Sequence, residues 1–221
     1  MLFRSSRSAP VVTGLLIIAN VLVFLFQISL DPWSREHFMR LYGLVPRFAW
    51  EHPSSFVSSM FLHGGWLHLI GNMWFLWIYG DNVEDVLGKG KYLASYLACG
   101  LTAAFAQYAI NPYSRIPTVG ASGAIAGVMG AYLIKFPHSR ILTLVPLFIF
   151  ITTIEVPAPI ILVYWFVLQF FSGVGSIAQS NISQGGVAWW AHIGGFVAGF
   201  ASGLLFRRRA AEVSRDFRTH W

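Results

Sequence analysis

The chain has 221 residues, 56% of them hydrophobic and 11% charged, with a net charge of +6 and a mean hydropathy of +0.60. Soluble domains carry about 25% charged residues, so the composition excludes an ordinary soluble enzyme and reads as an integral membrane protein. The basic residues lie between or outside the apolar runs, which marks them as topology signals rather than a nucleic-acid surface, and the lone Cys99 excludes an internal disulfide.

A helix needs about 20 apolar residues to cross a bilayer. In chain order the apolar runs predict spans over 11–30, 59–79, 91–110, 119–135, 157–173 and 187–206. The first follows Arg4 and Arg7 as a signal peptide would, but no small-residue cleavage site comes after it, so it is read as a retained helix. Residues 141–154 carry Pro146 and precede Glu155, Pro157 and Pro159. Together with 157–173 they are too long for one span and too short for two, so 141–154 is assigned to an interfacial or re-entrant segment. The expected fold is an all-α membrane protein, a six-transmembrane-helix bundle, with 1–221 as a single membrane domain.

Charge counting sets the orientation. Six spans place Arg4, Arg7, Lys89, Lys91, Lys135, Arg140, Arg207, Arg208, Arg209, Arg215 and Arg218 on one side, and Arg35, Arg40, Arg47 and Arg115 on the other. Eleven against four puts both termini in the cytoplasm. Spans two, four and six then run from outside inward, and His68, Ser122 and His192 each lie a few residues into theirs. At 1.5 Å of rise per residue the three share one shallow layer on the outer side.

Glycine predicts how these helices meet. Gly195, Gly199 and Gly203 recur every four residues, and Gly120, Gly123, Gly127 and Gly130 mark one face of span four. Small-xxx-small faces let helices pack backbone to backbone, so Gly123 and Gly127 against Gly195 and Gly199 would carry Ser122 toward His192. Each feature also has a plainer account. Glycine stripes pack helices with or without chemistry, a Ser in a Gly/Ala-rich span usually bonds a carbonyl, and an Asn such as Asn72 usually makes an interhelical hydrogen bond. Trp33, Trp50, Trp66, Trp189 and Trp190 fit an interfacial belt. His63 falls off the face shared by His68 and Asn72, near the outer interface. His37, His52, His138 and His220 fall in predicted loops or the tail.

Asp81, Glu84 and Asp85 follow span two on the cytoplasmic side, too far from the outer layer to complete a Ser-His-Asp triad. A Ser-His dyad remains. His192, starting neutral, would take the Ser122 proton and return it to the leaving group. The oxyanion built by attack on a carbonyl needs donors aimed at it, and the candidates are the Asn72 amide, a His68 N–H and the Ser122 backbone N–H, which is near its helix start. A shallow site opening outward can be wetted.

The ordered set His63-x4-His68-x3-Asn72, Gly120-x-Ser122-Gly123 and Ala191-His192-x2-Gly195-x3-Gly199 resembles the rhomboid family of intramembrane serine proteases, over about Phe56 to Phe206. The resemblance implies a six-helix core with a water-filled cavity open to the outer face, and Ser122 as nucleophile with His192 as base. It also implies oxyanion donors from His68, Asn72 and the Ser122 backbone. Expected substrates are transmembrane-helix proteins, cleaved in or near their span, with no metal, no cofactor and no nucleic acid. One departure is Ser54-Ser55 where many members carry Trp-Arg. The alternative function is a non-catalytic rhomboid-like protein that binds client transmembrane helices, although such relatives usually lack the Ser or the His. A metal-dependent protease using His63, His68 and His192 lacks the His-Glu-x-x-His spacing, and a transporter would need carboxylates or lysines at the midplane. The expected location is a bacterial cytoplasmic membrane. The short ends, Met1 to Pro10 and Ala210 to Trp221, lead to the expectation of no added soluble domain.

Overall fold

A computed structural model describes residues 9–147, 150–178 and 188–206. In chain order these form α1 (Val11–Ser29), α2 (Pro32–Tyr42), a one-turn α3 (Ser55–Ser58), α4 (Trp66–Leu87), α5 (Lys89–Ile110), α6 (Ser122–Lys135), β1 (Arg140–Leu147), β2 (Phe150–Pro157), α7 (Ala158–Ala178) and α8 (Trp189–Leu205). Short 3-10 turns cover Pro46–Phe48 and Ser59–Phe61. The protein is a mostly helical membrane protein. Three helices among the described residues are long and apolar enough to cross a bilayer: Val11–Ser29, Lys89–Ile110 and Ala158–Ser176. The candidate residues from the sequence lie on α4, α6 and α8. Helix α4 has 22 residues but includes His68, Asn72, Asp81, Glu84 and Asp85; α6 has 14 residues and α8 has 17.

The largest boundary shift falls on the second predicted span. Helix α4 starts at Trp66, after the 3-10 turn, and continues to Leu87. Gly88, at φ 79°, then turns the chain directly into α5. Glu84 therefore sits on a helix and not in a loop, and it is 2% exposed. Its carboxylate accepts from the backbone N–H of Val12 at 2.9 Å, the N–H of Thr13 at 2.8 Å and the Thr13 hydroxyl at 2.9 Å. The first N–H groups of a helix have no partner within it and form its positive end, so this acid of α4 caps α1. Glu84→Leu leaves those donors buried and unpaired and should cost about 3 kcal/mol of stability, read as a lowered thermal unfolding midpoint in detergent. An unchanged midpoint would contradict the capping role.

The segment between the first two spans, expected to be loop, contains α2. Asp31 accepts from the backbone N–H of Trp33 at 3.0 Å and of Ser34 at 3.1 Å, and Pro32 occupies the first turn, a pairing suited to a helix start. Hydrogen bonding from Ser34, side chain first and then backbone, holds the Asp31 carboxyl below the usual carboxylate range.

Residues 140–157 also depart from expectation. The stretch that includes 141–154 is not helical: β1 and β2 pair antiparallel from Arg140↔Pro157 to Leu147↔Phe150, a departure from the all-α expectation. The sequence there is rich in Ile, Val and Thr, which suit a pleated backbone. Both strands of a two-stranded ladder are edges, where Pro146 and its missing N–H are tolerated. The described residues are thus mostly helical, with one two-stranded β-ladder among them.

Helix α6 lies at the centre. From Gly123 to Tyr132 every residue is buried, and its side chains join a core that includes Leu76, Tyr79, Tyr96 and Phe196. The glycine stripes of α6 and α8 lie against each other. A Cβ at Gly195 would run into the carbonyl of Gly123, one at Gly199 into that of Gly127, and one at Gly130 into that of Phe196. The backbones of α6 and α8 therefore touch without intervening side chains. Helix α5 closes the other side, where the Ser95 and Ser202 hydroxyls share a hydrogen bond of 2.6 Å. Lys91 lies 5.1 Å from the ring of Phe206, which places the start of α5 beside the end of α8.

Candidate active site

Ser122 is the first residue of α6, and no side chain caps that helix. Its backbone N–H therefore belongs to the four that have no partner within the helix. The chain reaches it through Gly120, whose N–H donates to the carbonyl of Ser59 at 2.9 Å. Gly120 has φ +124°, and a Cβ there would lie 2.7 Å from His68 Nε2 and 3.5 Å from Asn72 Nδ2. Both the conformation and the close approach require glycine. This is how His68 and Asn72 come to lie beside the turn that delivers Ser122.

His68 and Asn72 are four residues apart on α4 and share a face. The N–H of Gly64 donates to His68 Nδ1 at 3.3 Å. A neutral imidazole with one nitrogen accepting carries its proton on the other, so the Nε2 facing Gly120 is a donor. Asn72 is 8% exposed, and its Nδ2 is buried with no hydrogen-bond partner. Two N–H donors thus converge near the start of α6, one of them unused.

His192 lies in the first turn of α8 and is buried. Its Nε2 is 2.8 Å from Ser122 Oγ. The ring is flanked by Trp165, with centroids 5.7 Å apart, and by Trp189, at 6.4 Å edge to face. Its other nitrogen, Nδ1, lies 2.7 Å from the Gln169 side-chain oxygen on α7. Sequence reasoning passed over Gln169. The available signal was a lone amide inside an otherwise apolar span.

The four side chains singled out from sequence are therefore neighbours in pairs: Ser122 with His192, and His68 with Asn72 beside Gly120. His63, in the stretch just before α4, is not a solvated loop residue. It is 1% exposed, and its ring centroid is 5.1 Å from that of His68. Gln27 of α1, also unnoticed in the sequence, holds the His63 backbone from both sides, donating to its carbonyl at 2.9 Å and accepting from its N–H at 3.1 Å.

Such a fold and site define a membrane-embedded helical protein with a hydrogen-bonded Ser-His pair. Comparison with known proteins is specific: residues 50–209 match the rhomboid domain, and the chain belongs to the rhomboid family. It is 35% identical over 144 residues to rhomboid protease GluP of Bacillus subtilis (strain 168), covering 65% of this chain and 24% of that protein. It is 33% identical over 150 residues to the human presenilin-associated rhomboid-like protein, mitochondrial, covering 63% of this chain and 36% of that one. Rhomboid-like protein 11, chloroplastic, of Arabidopsis thaliana is 32% identical over 113 residues, covering 50% of this chain and 40% of that one. The chain spans less than half the length of each of these relatives.

Proposed function

We propose that the protein is an intramembrane serine endopeptidase that cleaves transmembrane protein substrates near the outer face of the membrane. The observation that carries the reading is the 2.8 Å separation of His192 Nε2 and Ser122 Oγ, groups 70 residues apart in the chain on two helices held together by glycine. His192 accepts the Ser122 proton through Nε2 as Oγ attacks the scissile carbonyl. The oxyanion is received by His68 Nε2–H, Asn72 Nδ2–H and the Ser122 backbone N–H. The imidazolium then protonates the leaving amine, and a water activated by His192 releases the acyl group. No step calls for a metal or a cofactor.

The topology that suits this chemistry has six spans, with α4, α6 and α8 completing the set of longer apolar helices. Both termini lie in the cytoplasm, and the membrane is a bacterial cytoplasmic one. A non-catalytic rhomboid-like protein that binds client helices is the competing reading. Such a role makes no use of a Ser-His hydrogen bond or an unspent amide donor beside it.

A fluorophosphonate probe tests the reading. It should label the detergent-solubilised protein at Ser122, and labelling should persist in excess chelator. Wild-type protein that cleaves a single-span substrate without labelling at Ser122, or that loses cleavage on chelation, would reject it. Asn72→Ala should lower kcat by about 10²–10³-fold with KM little changed, as measured with the same substrate. A variant that alters only KM would remove Asn72 from the oxyanion site.

A further inference from the structure

We infer that Gln169 is the third member of the catalytic constellation, a positioning residue that fixes the tautomer and orientation of His192. The inference rests on the protease reading above and adds to it a group that a Ser-His dyad leaves out.

His192 has two ring nitrogens, and each faces one polar side chain: Nε2 faces Ser122 Oγ at 2.8 Å, and Nδ1 faces Gln169 Oε1 at 2.7 Å. An amide oxygen only accepts. Nδ1 must therefore carry the proton, which leaves the Nε2 lone pair free to accept from Ser122. The opposite tautomer would point an N–H at the alcohol and disable the base. Gln169 is 7% exposed and His192 8%, so water does not readily substitute for the amide. When Nε2 is protonated during attack, the amide oxygen also faces an imidazolium, and hydrogen bonds to charged groups are stronger than those to neutral ones. An aspartate does this work in soluble triads. A neutral amide does it here without placing a second charge in an apolar layer, where an unpaired carboxylate is costly. The Trp165 and Trp189 rings fill the space around His192 and limit its other rotations.

The test compares Gln169→Leu and Gln169→Met, which remove the acceptor, with Gln169→Glu, which keeps an oxygen at the same reach. Three quantities are read on the full chain in detergent: kcat and KM on a single-span substrate, the rate of fluorophosphonate labelling at Ser122, and the thermal unfolding midpoint. We expect Gln169→Leu and Gln169→Met to lose about tenfold to hundredfold in kcat, with KM within twofold and labelling slowed in parallel, while Gln169→Glu retains most of both rates. Labelling of Gln169→Leu or Gln169→Met at the wild-type rate overturns the inference. So does a Gln169→Glu protein as slow as those two, or a loss of rate that only follows a fall in unfolding midpoint, as a simple tie between α7 and α8 would give. Failure of the protease reading looks different: wild-type protein itself would not label at Ser122.

Discussion

Ser122→Ala should lower cleavage of a single-span substrate by on the order of 10⁴-fold or more, and His192→Ala by a comparable factor. The double variant should be scarcely worse than either single one, because a nucleophile and its base act as a unit and their losses do not add. The basis is the 2.8 Å contact between Nε2 and Oγ, with both residues held on helix backbones rather than on free loops. Initial rates in detergent and in lipid vesicles give the measurement. Cleavage by Ser122→Ala at the wild-type rate would remove the proposed nucleophile, and double-variant losses equal to the product of the single losses would show that the two groups do not cooperate.

The second large effect is expected far from the chemistry. Gly199→Leu should prevent stable assembly, and even Gly199→Ala should lower the unfolding midpoint and the turnover together. A Cβ at Gly199 meets the carbonyl oxygen, carbonyl carbon and Cα of Gly127, all of them backbone atoms. A side chain can turn aside, but a backbone has to move as a body. Overfilling a packed site costs about 1–3 kcal/mol or more. Pushing α8 away from α6 also stretches the His192–Ser122 contact, where a 1 Å displacement can cost about 10²-fold in rate. Gly14 of α1 is the control, since nothing lies within 4 Å of a Cβ placed there. Gly14→Ala should be neutral or mildly stabilising, as Ala is the better helix former. Equal behaviour of the two alanine variants, in unfolding midpoint and turnover, would refute the packing argument.

What was legible in the sequence was whatever depends on local period or parity. The four-residue spacing of Gly195 and Gly199, and of Gly123 and Gly127, encodes a face whatever the partner. The positions of His68, Ser122 and His192 in the first turns of α4, α6 and α8 are likewise local. The start of α2 was also written locally, as Asp31 followed by Pro32, though hydropathy alone passes over a short polar helix. Other features depend on which way a helix is turned relative to a distant neighbour. Gln169 meets His192 because of the rotation of α7 about its axis. Glu84 looks like the onset of a loop because hydropathy falls there, yet intrahelical hydrogen bonds carry α4 onward, and its partners at Val12 and Thr13 lie more than 70 residues away. The β-ladder was hidden for a third reason. A run of Ile, Val, Thr and Leu broken by proline has the same apolar character whether it lies in lipid or pairs with itself.

Helix α6 has 14 residues, so it is roughly 21 Å long, while the hydrocarbon layer is about 30 Å thick. A rod of that length falls about 9 Å short of crossing the layer by itself. The backbone that leads into it, residues 111–121, is non-helical, while α4 and α5 beside it have 22 residues each. Non-helical backbone inside the hydrocarbon is tolerated only against protein or water. If the protein cleaves as proposed, the water that hydrolysis consumes would reach Ser122 through that shortfall without crossing oil. A truncation in one central rod, rather than any added side chain, would then admit a polar reagent to an apolar layer.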